Sequence, residues 1–162
     1  MSRMPARPRL QNSLWDRLTN PDLARPGASQ ASSSSQVDRI RKEVLTHLEW
    51  LLNTRCCLAA EVEASDVLRS SLVGYGLPDI SGVRSGDARD RDRLERILED
   101  VIVRFEPRLT DVRVESNDDK FSAGSTLHYR VSAVIRVKPV AQPIQFDTVL
   151  DLGGKAHVVG TA

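Results

Sequence analysis

Few residues in this sequence could do acid–base or nucleophilic chemistry, and they are poorly spaced for it. Glu49 and Glu106 are the one carboxylate pair that could face each other across a cleft, as glycoside cleavage requires at roughly 5–9.5 Å. No aromatic-lined sugar groove accompanies them. His47, His128 and His157 are scattered over separate segments, and no HxxxH or Cys-x-x-Cys pattern offers a metal site, so neither a metal nor a cofactor is expected. Gly74-Tyr75-Gly76 lacks the length and the lysine of a phosphate cradle and reads as a helix stop. The serines of the run Ser32–Ser35 have no base nearby, which leaves a serine nucleophile unsupported. Two groupings suit recognition better than catalysis. One is Glu49-Trp50-Leu51-Leu52-Asn53-Thr54-Arg55; the other is Glu106-Pro107-Arg108, a rigid corner projecting a carboxylate and a guanidinium to pair with a partner's charges or to clamp a loop of its own domain.

The first grouping ends a long amphipathic helix expected from Gln36 to about Asn53, capped near Ser35. Its stripe of Val37, Ile40, Val44, Leu48, Leu51 and Leu52 follows 100° per residue, while Glu49, Trp50 and Asn53 point away from it. A tryptophan off the stripe either fills a second contact within the domain or meets a partner, since aromatics dominate interface energetics. Arg55 suits the negative end of that helix's dipole. A second, shorter helix begins at Ser65-Asp66-Val67-Leu68 and stops at Gly74-Tyr75-Gly76-Leu77-Pro78-Asp79. The glycine-rich, polar stretch 80–89 reads as a loop. A third helix, from about Asp90 to Phe105, puts Leu94, Ile97, Leu98, Val101, Ile102 and Phe105 on one face, and Pro107 ends it by biasing Glu106 away from helical dihedrals.

Beyond Pro107 the period changes from helical to alternating. Thr110–Ser116 makes a short strand. Leu127–Val137 makes a long one with Leu127, Tyr129, Val131, Ala133, Ile135 and Val137 on one face, and Ile144–Leu152 a third. A weak fourth is read at His157-Val158-Val159. The joints fall at 117–124 and 139–143, which makes an antiparallel meander the simplest connection. Helices followed by strands predict an α+β fold, three helices packed on one face of a small, mainly antiparallel three- to four-stranded sheet. Such a sheet has open edges, each a template for a partner's strand.

The N-terminal region carries Ser13-Leu14-Trp15-Asp16-Arg17-Leu18, a brief helix capped by Ser13 and too short to be stable alone. Pro21, Pro26, Gly27 and the serine run then read as a flexible linker. The organisation expected is a docking peptide and linker over 1–35 and an α+β domain over 36–162. The peptide docks on its own domain or on a neighbour, and the linker's reach favours the neighbour.

Composition narrows the function classes. The chain has 162 residues, 40% of them hydrophobic, which suits one domain with a core. A net charge of +1 provides no field to draw the molecule onto nucleic acid or anionic lipid, so neither is expected as a partner. Adjacent Cys56 and Cys57 rarely reach disulfide geometry and are read as packing. With no apolar signal segment and no run of roughly 20 apolar residues, the expectation is a cytoplasmic protein without membrane insertion.

Four blocks together resemble a known family: Ser-Leu-Trp-Asp-Arg-Leu at 13–18, Glu-Trp-Leu-Leu-Asn-Thr-Arg at 49–55, Ser-Leu-Val-Gly-Tyr-Gly-Leu-Pro-Asp at 71–79 and Phe-Glu-Pro-Arg-Leu at 105–109. The family is TssE, the type VI secretion baseplate subunit related to the wedge protein of contractile phage tails. The resemblance implies a non-enzymatic assembly part in a cytoplasmic baseplate at the bacterial inner membrane. It would sit beside TssF, TssG and other baseplate components, and the TssB/TssC sheath would polymerise on it. It implies that Glu106-Pro107-Arg108 docks to the helical core of the wedge. The partner-binding residues expected are Leu14, Trp15, Arg17, Leu18, Glu49, Trp50, Arg55, Glu106, Pro107 and Arg108. The family's old "lysozyme-like" label supplies the alternative, a peptidoglycan-cleaving muramidase with paired carboxylates.

Overall fold

Alternation of apolar and polar residues in the C-terminal half builds a four-stranded sheet: β1 (Leu109–Ser116), β2 (Thr126–Val137), β3 (Val140–Asp151) and β4 (Ala156–Gly160). The spatial order is β1-β2-β3-β4 and every pair is antiparallel, so the sheet is the expected meander. This computed structural model describes residues 14–24, 33–56, 64–80, 82–83, 87–116, 126–137, 140–151 and 155–160. The Ser13 cap, the linker from 25 to 32, Cys57, part of the 80–89 loop, the 117–124 joint and Leu152 lie outside the described residues.

The helical elements are α1 (Leu14–Thr19), α2 (Pro21–Ala24), α3 (Ser33–Asn53), α4 (Asp66–Arg69), a 3-10 turn (Leu72–Gly74) and α5 (Ala88–Phe105). Among the described residues only α3 and α5 are long, so the sheet is backed by two major helices where three were expected. The middle segment has no apolar stripe long enough to sustain a helix. Its single turn is capped by Ser65, whose side chain accepts from the Leu68 amide, and Ser71 then caps the 3-10 turn. α5 begins at an Asp87 cap, whose Oδ1 accepts from the Arg89 amide at 2.9 Å.

Two parts of the expected linker are helical. Pro21 opens α2 in the position where a missing N–H costs nothing, with Asn20 Oδ1 accepting from the Asp22 amide at 3.1 Å. The last serines of the run belong to the first turn of α3 rather than to a spacer.

One apolar core lies between the helices and the sheet. Val44, Leu48, Leu51 and Leu52 of α3 and Leu94, Leu98, Val101 and Ile102 of α5 meet the inward faces of all four strands. Leu127, Tyr129, Val131, Ala133 and Ile135 are all buried, as the alternation predicts. β1 departs from strict alternation. Its register slips between Thr110 and Arg113, and Asp111 adopts φ 55°, a left-handed conformation that aspartate tolerates better than most residues. The extra residue of this bulge lets Leu109 and Val114, five positions apart, both enter the core.

The β2–β3 joint is shorter than 139–143, because pairing runs to Val137↔Val140 and places Pro143 within a strand, opposite Val134. β4 pairs only with Phe146–Leu150, so Pro143 sits where β3 has a neighbour on one side, the edge-like position proline requires.

Candidate functional site

The corner that joins α5 to β1 is the most heavily bonded polar feature among the described residues. α5 stops at Phe105, Glu106 caps it with φ −122° and ψ 75°, and the Leu109 amide returns to the Glu106 carbonyl at 3.0 Å. Pro107 thus holds Glu106 and Arg108 on one tight turn. Glu106 points inward and is 4% exposed. Arg108 binds it with a fork: Nε donates to Oε1 at 2.6 Å and Nη2 to Oε2 at 2.7 Å, the bidentate geometry that makes such pairs strong.

The same guanidinium reaches α3. Its Nη1 lies 3.5 Å from Glu43 Oε2 and its Nη2 2.7 Å from His47 Nδ1. A guanidinium has only donors, so Nδ1 of His47 is the acceptor and the ring proton belongs on Nε2. Arg108 therefore clamps the helix-to-strand corner onto the middle of α3. Its hydrogen bond to Glu106 raises its already high pKa; burial opposes the rise, and the charges of Glu106 and Glu43 add to it.

Beside the clamp lies a groove of about 290 Å³ with aromatic walls. His47 stacks on Trp50 with ring centroids 5.4 Å apart, and Trp50 meets the ring of Trp15 edge-on at 5.6 Å. Tyr75 meets Phe105 edge-on at 5.3 Å, and the Tyr75 hydroxyl is held above its usual pKa by burial and then by the charge of Glu106. Tyr75 gets there because its two glycines allow close backbone approaches, Gly74 to the Arg69 carbonyl and Gly76 to the end of α3. Gly76 has φ +113°, and a Cβ there would stand 2.5 Å from the Thr54 carbonyl. The Cys56 and Leu77 amides then bond across, at 2.9 Å to the Leu77 carbonyl and 2.8 Å to the Thr54 carbonyl. The glycines do more than stop a helix.

The structure brings Trp15, Trp50 and Glu106 together on this groove and joins Arg108 to it through His47. The α1 peptide thus contacts its own domain, where the linker's reach had favoured a neighbour. Trp15 keeps 54% and Trp50 44% exposure, and Leu14 and Leu18 stand 70% and 72% exposed on the outer side of α1. Arg17, Glu49, Arg55 and Pro107 are exposed and do not line the groove. Glu49, the other half of the carboxylate pair considered for hydrolysis, thus faces solvent, while both oxygens of Glu106 are taken by Arg108. Sequence reasoning missed Glu43, His47, Tyr75 and Phe105. Glu43, His47 and Trp50 recur at i, i+4 and i+7, so a polar stripe beside the apolar one was there to be read.

The sheet edges are less open than the sequence suggested. Glu95 and Glu99 of α5 accept backbone amides of β1, and the Asn53 side chain pairs with Ala156 of β4. Among the described residues no cluster of His, Cys, Asp and Glu could hold a metal ion, and no helix is long and apolar enough to cross a membrane.

The described residues thus form an α+β meander backed by two helices, with an ion-paired corner beside an aromatic groove. The model of the family described as baseplate wedge protein gp25 matches residues 38–140, and the chain belongs to that family. A chain from a solved structure described as the baseplate complex from the type VI secretion system is similar at 20% identity with a TM-score of 0.48, covering 78% of this chain and 99% of that one. No curated protein matches.

Proposed function

We propose that this chain is a structural subunit of a type VI secretion baseplate, of the TssE kind. It is held to TssF and TssG through the Trp15–Trp50 surface and the Glu106–Arg108 corner, and it offers a sheet edge on which the TssB/TssC sheath begins. It works in the cytoplasm, at a baseplate on the inner membrane, and turns over no substrate. The observation that carries this reading is the family match, which spans α3, the corner and the sheet up to the start of β3. The four sequence blocks that resemble TssE supply the secretion-system assignment, and all four meet at the groove, through Trp15, Trp50, Tyr75 and Phe105 with Glu106. The corner suits docking because Glu106 and Glu43 fix the Arg108 guanidinium while its side chain stays 26% exposed.

Co-purification tests the docking. Glu106→Ala combined with Arg108→Ala removes both charges together, so no carboxylate of the corner is left facing a guanidinium-shaped gap except Glu43. The double variant is expected to fold with a lowered melting temperature and to lose TssF and TssG. Full pull-down by a folded double variant would sink the docking role. Loss of turbidity from purified peptidoglycan that vanishes in Glu106→Gln would replace the assembly reading with hydrolysis.

A further inference from the structure

The two ends of the sheet are finished differently. On β1 the amides of Val114 and Ser116 face away from β2, and Glu99 and Glu95 accept them at 2.9 Å and 2.7 Å. Glutamates four apart on a helix are separated by about 6 Å of rise, and alternate amides of a strand by about 6.8 Å, so two neighbouring turns of α5 match two outward amides. A carboxylate accepts and never donates, and it repels the carbonyls of any strand that approaches. An added strand would have to break both bonds and bury two negative charges beside its own carbonyls.

On β4 the outermost residue is covered in a different way. Asn53 accepts the Ala156 amide at 2.9 Å and donates to the Ala156 carbonyl at 2.8 Å, copying the bonds of a neighbouring strand residue. Two positions along, the Val158 amide faces the same way, and no acceptor among the described residues meets it. Asn53 begins a ladder that β4 leaves unfinished. Ala156 and Val158 face the core, while His157 and Val159 face solvent.

We infer that the Glu95–Glu99 pair seals the β1 edge, so that strand addition occurs only beyond β4, where the Val158 backbone receives one extended segment of a neighbouring subunit. The inference rests on the strand-adding role proposed above. The occupant is a period-two segment, with apolar residues toward the helices and polar ones toward solvent, because that is the alternation of the strand it must extend. A second copy of this chain is refused at β1, so the sheet is lengthened in one direction.

Amide hydrogen exchange on the purified wild-type chain tests both edges without a mutation. Val114 and Ser116 are expected to exchange slowly and Val158 at the rate of an open amide. A protected Val158 in the free subunit would overturn the assignment. In cells, Val158→Pro removes an outward N–H of an edge strand together with part of a core-facing side chain, and Val158→Ala, which trims the side chain but keeps the N–H, is its control; both should preserve the fold and wedge co-purification, and only Val158→Pro should abolish sheath tubes. Tubes formed normally by the folded Val158→Pro variant would refute the β4 edge as receiver. Tubes formed in cells lacking the gene altogether would remove the strand-adding role itself, a separate outcome. Glu95→Ala with Glu99→Ala should self-associate with rising concentration in sedimentation; a folded double variant that stays as monomeric as the wild type would refute the seal.

Discussion

The Glu106–Arg108 clamp and the Trp15–Trp50 pair share one groove and are built in opposite ways. The clamp is ionic and mostly buried, tied to three residues on two elements, and joins α5, β1 and α3. The tryptophan pair is apolar and half wet, and it joins a six-residue helix to the surface by one edge-on contact. A buried charge is costly to strip of its partner, so the clamp is chiefly a fixture of the fold that shows one edge of its guanidinium. A half-exposed aromatic pair contributes little to folding and leaves much of its area in solvent, the area that the proposed docking would use. The lesson is that a mostly buried ionic fixture and a half-wet aromatic surface are built from residues only a helical turn apart, His47 and Trp50.

That contrast can be broken or sharpened by substitution, and the largest effect is expected at the clamp. Glu106→Ala leaves the Arg108 guanidinium partly buried beside Glu43 alone, and a loss of about 3 kcal/mol in urea unfolding is expected, against a smaller loss for Glu106→Gln, which keeps an acceptor. If Glu106→Ala unfolds at the wild-type denaturant midpoint, the clamp is not structural and the contrast fails. Gly76→Ala comes next. A methyl group pressed on the Thr54 carbonyl at a positive φ should cost about 1–3 kcal/mol and loosen the Tyr75 wall of the groove. Trp15→Ala and Trp50→Ala should lower stability least, by about 1 kcal/mol or less, because both rings are already half exposed. Their effect should instead be seen in weaker retention of TssF and TssG. A sharp drop in melting temperature for Trp50→Ala would move that ring from the recognition side of the comparison to the core.

Much of the fold was legible because burial follows period. The stripes of α3 and α5, the alternation of β2 and the end of α5 at Pro107 each depend on residues within a turn or two of one another. α4 is shorter than the helix expected there, because Ser65-Asp66 signals a helix start while no apolar stripe follows to sustain it. The bulge at Asp111 carries no local signal that distinguishes it from an ordinary turn aspartate, so the switch of faces within β1 was hidden. At the candidate site, Trp50 was marked as unusual by its position off the stripe. Its neighbours Trp15 and Tyr75 come from elements 35 and 25 positions away in the sequence, and periodicity has no reach over that distance.

By itself the amino-acid sequence determined an α+β meander, the long amphipathic helices α3 and α5 among the three helices expected, and a rigid Glu-Pro-Arg corner, because hydrophobic period and proline stereochemistry act locally. Only the tertiary structure decided that Glu106 turns inward, that Arg108 reaches Glu43 and His47, and that Glu95, Glu99 and Asn53 cover strand amides. The physical reason is that a polar side chain at the margin of an apolar stripe has no fate of its own. It bonds to whichever backbone or charge the packing of distant elements brings within about 3 Å.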